Sequence, residues 1–191
     1  MMFSDLIDVR ASYSIAHVVK VLFLLSERPM GRHQLMKEMG LGEATIKTLV
    51  KRLKKNNLIK KTTKGNVLTK KGILFVSKIL KKISRPVEIA IDKYTIGKYN
   101  YAVLVKKASS KLRSGIEQRD EAIKIGADGA TTLLCKNDRL ILPGCDRKII
   151  ELEKILRKNF KIENENVIVI GSASTKKKAE EASIIAALSL T

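Results

Sequence analysis

The stretch LGEATIKTLVKRLKKNNLI, residues 41–59, decides the fold of the N-terminal half of this chain. Its apolar positions recur three or four residues apart, which predicts an amphipathic helix with one side against a core. These positions are Ile46, Leu49, Val50 and Leu53. Gly42 and Glu43 open the predicted helix, and the pair Asn56-Asn57 closes it.

The other side of this predicted helix is polar and cationic. It carries Ala44, Thr45, Lys47, Thr48, Lys51, Arg52 and Lys55. Short hydroxyl and methyl side chains at the start, with cations further along, are typical of a helix that enters a DNA major groove end-on. An ordinary solvated helix face is the alternative, and the neighbouring segments decide between the two.

The segments on both sides complete a recognisable arrangement. Helices are predicted over residues 13–26 and 32–39, with Gly40 at a C-cap position and a tight turn into the third helix. Residues 59–69 predict two short strands around a tip that contains glycine. The lysines of this hairpin are expected to follow a phosphate backbone. They are Lys60, Lys61 and Lys64.

On these features, residues 11–83 resemble the winged helix-turn-helix of prokaryotic transcription regulators. The residues that carry the resemblance are the turn at 39–42, residues 44–47, Leu49, Leu53, Leu58, Ile59 and the hairpin. The resemblance implies that Thr45, Lys47, Thr48 and Lys51 face DNA. Some winged helices bind RNA or only other proteins, so RNA remains an alternative partner.

Charge is concentrated in the N-terminal half. The net charge is +19, and residues 1–84 hold 18 Lys and Arg against five Asp and Glu. Between residues 41 and 84 there are thirteen cations and a single acid, Glu43. This distribution favours a polyanionic partner for the N-terminal half. The chain opens without a charged, apolar leader and has no long apolar run, so we expect a cytoplasmic protein that does not enter a membrane.

A fourth helix is predicted over residues 70–84, before Arg85-Pro86 marks the boundary between domains 1–84 and 85–191. One apolar stripe holds Ile73, Val76, Leu80 and Ile83, and a second side carries Phe75 and Ile79. This surplus of apolar surface favours a second contact. Because operator half-sites usually mirror the symmetry of the protein, we expect a homodimer that uses Phe75, Ile79 or Leu80.

The C-terminal half predicts an α+β sandwich, ferredoxin-like or related. Strands are expected over residues 87–91, 99–107, 131–135, 139–142 and 167–170, and helices over 116–125, 146–159 and 175–190. Ile116, Ala122 and Ile123 are expected to face inward, and Asp146 to cap its helix.

Two stretches of this half are candidate ligand sites. Around the glycines of residues 115–132, a small polar pocket is predicted from Arg119, Asp120, Asp128, Thr131 and Thr132. Residues 171–176, between a strand and a helix, predict an anion site with Ser172 and Ser174 beside Lys176. The alternatives are a plain helix, turn and sheet edge for the first, and an N-cap for the second. The glycine spacing matches neither a P-loop nor a dinucleotide fingerprint.

The run RDEAIKIGADGATTL, behind the winged helix, is similar to an archaeal family of two-domain proteins whose C-terminal domain has no assigned function. The resemblance covers essentially the whole chain. It implies a regulator-like protein and supplies no ligand or catalytic residue.

The leading hypothesis is a sequence-specific, non-enzymatic transcription regulator that binds double-stranded DNA and takes a small effector or an assembly partner through its C-terminal domain. An RNA- or ribosome-associated protein is an alternative, although aromatic residues are only 4% of the chain. A metabolic enzyme with a fused winged helix is the other. With two histidines and only Cys135 and Cys145, the sequence implies no metal site or cofactor.

Overall fold

The computed structural model describes residues 4–7, 12–91, 93–145 and 149–191. The chain divides into two compact units, Met1–Ile79 and Leu80–Thr191. This boundary precedes residues 80–84, which the sequence placed in the last N-terminal helix. Ile83 forms a β-bridge with Val105, and the Ser84 amide donates to the Leu104 carbonyl at 2.8 Å, so this segment belongs to the C-terminal sheet.

The first unit begins with three helices, α1 (Ile15–Glu27), α2 (Arg32–Met39) and α3 (Glu43–Lys55). Gly40 ends α2 in the left-handed conformation, at φ +68°, which favours glycine and turns the chain into α3. Three of the four residues of the predicted apolar stripe of α3 are fully buried, namely Ile46, Leu49 and Leu53, whereas Val50 is partly buried. None of the described helices combines the length and apolar character that crossing a membrane requires.

A two-stranded antiparallel hairpin follows, formed by β1 (Ile59–Thr62) and β2 (Gly65–Leu68). Its second strand is held to the segment before α2, because Met30 and Asn66 exchange two backbone hydrogen bonds of 3.1 and 2.8 Å. Gly65 has φ +122°, and a Cβ there would lie 2.6 Å from the Met30 carbonyl carbon. Glycine is therefore required for this close approach.

Helix α4 spans Lys70–Leu80, shorter than predicted. Val76 and Ile79 are buried, whereas Ile73 and the adjacent Leu74 are 57% and 65% exposed. The prediction that Ile73 lies on the core stripe was therefore wrong. Ile79 is 1% exposed, so its side chain is not available on the surface to a second subunit.

The second unit contains a five-stranded antiparallel sheet in the order β3-β4-β7-β5-β6. Its strands are β3 (Val87–Glu88), β4 (Tyr99–Val105), β5 (Gly129–Lys136), β6 (Arg139–Ile141) and β7 (Val167–Ala173). Strands β4 and β5 run parallel to each other with β7 between them, which is a split β-α-β connection. The β-α-β-β-α-β core consists of β4, β5, β6 and β7 in chain order. A ferredoxin-like sheet would place the first and third of these, β4 and β6, side by side at its centre, whereas β7 and β5 lie between them here.

Helices cover both faces of this sheet, and the last strand is buried throughout. Helix α6 (Ile150–Asn159) packs with Leu152 and Leu156 on one face, whereas α5 (Ile116–Lys124) and α7 (Lys176–Leu188) cover the other with small residues. A Cβ on Gly171 would lie 2.2 Å from the Ser183 amide nitrogen, so α7 contacts the sheet through backbone.

This close packing corrects the predicted orientation of α5. Its inner side is formed by Gln118 and Ala122, whereas Ile116 and Ile123 are 51% and 49% exposed. Small side chains suit the narrow space beside α7 better than the isoleucines do. The predicted cap at Asp146 lies outside the described residues.

Candidate nucleic-acid interface

A groove of about 580 Å³ runs between the start of α2, one flank of α3 and the hairpin. Gly31, Ile46, Val50, Gly65 and Asn66 form its neutral lining. The rest of its described lining is basic, with no carboxylate, and consists of Arg32, His33, Lys47, Lys51, Lys54 and Lys61. Such a concentration of cations creates a positive potential that attracts polyanions.

Helix geometry divides the predicted DNA-binding residues of α3 into different faces. At about 100° per residue, Lys47, Lys51 and Lys54 lie within about 60° of one another, on the flank beside the groove. Thr45 and Arg52 lie on the opposite flank. There the Thr45 hydroxyl is 2.9 Å from the hydroxyl of Ser12.

Between these flanks, the outermost face of α3 carries Ala44, Thr48 and Lys55, all exposed. The Thr48 hydroxyl donates to the Ala44 carbonyl at 3.0 Å. Its proton is therefore used within the helix, while its methyl group and a lone pair remain available to an external partner.

The strand register separates the lysines of the hairpin. Lys61 pairs with Asn66 across the two strands, and directly opposed residues share one face of a hairpin. Both of these residues line the groove. Lys60 pairs with Val67 and therefore lies on the other face, while the exposed Lys64 is at the tip.

Asn66, one of the residues that line the groove, is buried, with 7% of its surface exposed. Its side-chain amide nitrogen donates to the Met30 carbonyl at 3.1 Å. Its carbonyl oxygen is buried and has no hydrogen-bond partner among the described residues. A buried acceptor without a partner is uncommon in proteins and calls for an explanation.

One acidic residue lies at the margin of this cationic surface. Glu43, the first residue of α3, pairs with Arg32 of α2 at 2.5 Å, and both side chains are about half exposed. This ion pair partly neutralises one of the basic side chains that line the groove.

In the second unit, the residues of the first predicted ligand pocket differ in exposure and in hydrogen-bond partners. Arg119 and Asp120 pair with each other on the surface at 3.2 Å, and Asp128 is exposed. The Thr131 hydroxyl donates to the Tyr94 carbonyl, whereas the Thr132 hydroxyl is buried without a partner among the described residues. Arg119 and Asp120 are therefore engaged with each other on the surface, and the pocket itself stays a prediction.

The predicted anion site at residues 171–176 is altered in a similar way. Ser172 belongs to β7, is fully buried and donates to the Asn100 side-chain oxygen at 2.7 Å. Thr175, rather than Ser174, caps α7, and Lys176 pairs with Glu88 at 2.8 Å. The side chains of Ser172 and Lys176 are therefore already engaged within the protein.

Two further features of this unit concern its titratable groups. Burial, followed by the charge of Glu88, raises the pKa of Tyr101 to about 12. Cys135 is buried and Cys145 exposed, both as free thiols, and burial raises the pKa of Cys135. Among the described residues, no group of three or more His, Cys, Asp or Glu side chains could hold a metal ion.

Comparison with known proteins identifies both units. Residues 14–74 match the family model "PH0730-like, N-terminal domain", and residues 96–190 match "Domain of unknown function (DUF4443)". The structure of "Hypothetical protein PH0730 from Pyrococcus horikoshii OT3" aligns with a TM-score of 0.77 and 32% identity, over 92% of this chain and 91% of that one. The chain belongs to the PH0730-like family. No protein with curated annotation matches it.

Four polar residues that line this groove were not predicted from the sequence as site residues, namely Arg32, His33, Lys54 and Asn66. Lys54 could have been found, because it lies seven residues after Lys47 and so on the same side of a helix. The other three could not, since their placement depends on how the hairpin and the start of α2 meet.

Proposed function

We propose that this PH0730-like protein is a non-enzymatic transcription regulator that binds double-stranded DNA, and that its first unit is a winged helix-turn-helix. The observation that carries the proposal is the continuous cationic surface formed by α3 and the hairpin. Glu43 is the single acid between residues 41 and 84, and it lies at the edge of this surface. A surface of this kind attracts polyanions such as nucleic acids.

The exposed side chains favour duplex DNA over RNA. A B-DNA major groove admits a helix, and α3 presents the small Ala44 and Thr48 before the longer Lys51 and Lys55. Proteins that read single-stranded RNA stack its bases on aromatic side chains. Neither α3 nor the hairpin of residues 59–68 contains an aromatic residue.

The proposal gives different roles to the residues of this surface. In the proposed complex, Ala44, Lys47, Thr48 and Lys51 face base edges in the major groove. Lys60, Lys61 and Lys64 neutralise phosphates, and Thr45 and Arg52 meet the backbone at the other edge of the major groove. The second unit would mediate homodimer assembly or respond to an effector.

Binding to duplexes at different salt concentrations tests the proposal. A duplex is first selected from a random library with the full chain, and its affinity is then compared with that of an unselected duplex. Lys64→Ala should weaken binding to both duplexes alike and reduce the salt slope by about one unit. Lys51→Ala should cost about 1–3 kcal/mol on the selected duplex and less on the other.

Lys158→Ala is the matched control, because Lys158 is an exposed lysine of the other unit. It should leave both affinities nearly unchanged. The proposal is wrong if the wild-type protein binds neither duplex at low salt, or if Lys158→Ala weakens binding as much as Lys51→Ala does.

A further inference from the structure

Three large apolar side chains of the second unit are exposed on one surface. Ile116 and Ile123 are 51% and 49% exposed and lie seven residues apart on α5, which places them on the same side of the helix. Ile96 is 69% exposed. A Cβ on Gly129 would lie 2.8 Å from its Cδ1 and 3.6 Å from the Cγ of Arg119, a residue of α5. Ile96 therefore extends the apolar surface of α5 beyond the helix.

One ion pair lies between the two isoleucines of α5. Arg119 and Asp120 are three and four residues after Ile116, so they share its side of the helix, and they pair with each other at 3.2 Å. Their side chains are 51% and 48% exposed, so solvent weakens the pair and both groups stay within reach of another molecule. Along this side of α5 the order is apolar, cation, anion, apolar.

This order makes the exposed side of α5 complementary to a reversed copy of itself. In two antiparallel α5 helices related by a two-fold axis between residues 119 and 120, Ile116 of each copy meets Ile123 of the other. Arg119 of each copy likewise meets Asp120 of the other. Symmetric interfaces require this property, because every contact between two residues occurs twice with the copies exchanged.

The charge of α5 favours a second copy over other occupants. The whole chain holds 38 Lys and Arg against 19 Asp and Glu. Helix α5 instead holds two cations, Arg119 and Lys124, against three acids, Glu117, Asp120 and Glu121. DNA gains little from a helix with more acids than cations, and an acidic protein would be drawn to the basic first unit instead. A second copy meets opposite charges here.

The exposed apolar residues of α4 offer a poorer contact for a second copy. Ile73 and Leu74 are also exposed, but Lys70, Lys71 and Lys78 lie within four residues of one or the other and are exposed as well. Helix α4 contains no acid. Two such surfaces would bring like charges together, which opposes association.

We propose that the exposed side of α5, together with Ile96, is the interface of a homodimer in which two α5 helices pack antiparallel. The isoleucines would be buried between the copies, and the Arg119–Asp120 pairs would be formed across the interface. The dimer would carry two copies of the first unit, which suits two DNA half-sites. That last clause rests on the proposed function, whereas the interface itself does not.

Sedimentation velocity of the full chain, without DNA, tests the interface. The wild type should form a species of twice 21.3 kDa at micromolar concentration. Ile123→Glu should raise the dimer Kd at least about thirtyfold, because it places a charge twice at the centre of the contact. Ile150→Glu is the matched control, since Ile150 is a 56% exposed isoleucine of α6, and Leu74→Glu tests the surface of α4. Both should change Kd less than about twofold.

Charge reversal tests the antiparallel register. Arg119→Asp should oppose dimerisation because it places two carboxylates at each contact between residues 119 and 120, and Asp120→Arg should do so with two guanidinium groups. An equal mixture of these two variants should form a heterodimer, because each such contact then joins opposite charges. Lys154→Asp and Glu151→Arg, which make the same changes of charge on α6, should each leave the homodimer intact.

Several outcomes would overturn this interface. They are a monomeric wild type, a homodimer that survives both Ile123→Glu and Arg119→Asp, and a mixture of the two charge-reversed variants that stays monomeric. Dissociation by Leu74→Glu or Ile150→Glu to the same extent as by Ile123→Glu would also overturn it. A monomer that binds duplex would refute this interface alone. A dimer with the expected response to these variants that binds no duplex would refute only the DNA proposal.

Discussion

Removing the single acid of the cationic surface should strengthen DNA binding. Glu43→Gln keeps the shape of the side chain but releases Arg32, which pairs with Glu43 at 2.5 Å. The change also deletes a negative charge at the start of α3, the helix that is proposed to enter the major groove. Arg32 would then be available to a DNA phosphate.

The expected magnitudes follow from the exposure of this pair. Arg32 and Glu43 are 51% and 56% exposed, so their ion pair contributes no more than about 1 kcal/mol to folding. A new arginine–phosphate contact at about 4 Å in water contributes about 1 kcal/mol, or about fivefold in Kd. One more neutralised phosphate should steepen the salt slope by about 0.9.

Fluorescence anisotropy with a labelled duplex at several salt concentrations would measure both quantities. Glu38→Gln is the matched control, because Glu38 pairs with Arg28 at 3.5 Å, is not among the residues that line the groove, and gives the same change in net charge. It should alter Kd less than about twofold. Equal gains for Glu43→Gln and Glu38→Gln would show that only net charge matters, which refutes the placement of DNA on α3. Weaker binding by Glu43→Gln would mean that Glu43 itself contacts a base, which also refutes this reasoning.

Three further predictions concern stability and assembly. Gly171→Ala should destabilise the second unit by about 3 kcal/mol in urea unfolding, because its Cβ would lie 2.2 Å from the Ser183 amide nitrogen of α7. Gly42→Ala has open space around it and should cost less than about 1 kcal/mol, which is the loss expected when alanine replaces glycine at the N-cap of α3. The pKa of Tyr101 is raised to about 12 from an unfolded value near 10, so its contribution to stability is fully present below pH 10 and is lost as pH rises towards 12. Tyr101→Phe should therefore remove the loss of stability between pH 10 and pH 12. In a titration followed at 295 nm it should also remove the tyrosine that ionises near pH 12, and an unchanged titration would contradict the raised pKa of Tyr101. If the protein is a dimer through α4, Leu74→Glu should yield a monomer of 21.3 kDa by light scattering, and a wild type that is already monomeric would exclude the dimer.

Local sequence was sufficient for the helices and most strands of this protein. The apolar stripe of α3, the glycine that ends α2 and the two strands of the hairpin were all predicted from residue spacing. These features depend on interactions between residues a few positions apart, and such interactions follow directly from helix and strand periodicity. The concentration of cations between residues 41 and 84 is likewise a property of the sequence alone.

Tertiary structure decided which of these residues share a site. Periodicity placed Lys47 and Thr45 on the polar side of α3. Only the position of the hairpin puts Lys47 in a groove and leaves Thr45 outside it. Register, set by pairing between strands, separated Lys61 from its neighbour Lys60. Isoleucine spacing likewise predicted that Ile116 faces inward, whereas in the fold Gln118 and Ala122 form the inner side of α5.

The predicted ligand residues of the second unit show the same limit. Arg119 and Asp120 are adjacent in sequence and satisfy each other, while Ser172 is buried because β7 continues three residues further than its apolar run indicated. Chemically suitable side chains can be recognised from sequence, since their types are given by the residues themselves. Whether they converge depends on long-range packing, which no local pattern contains.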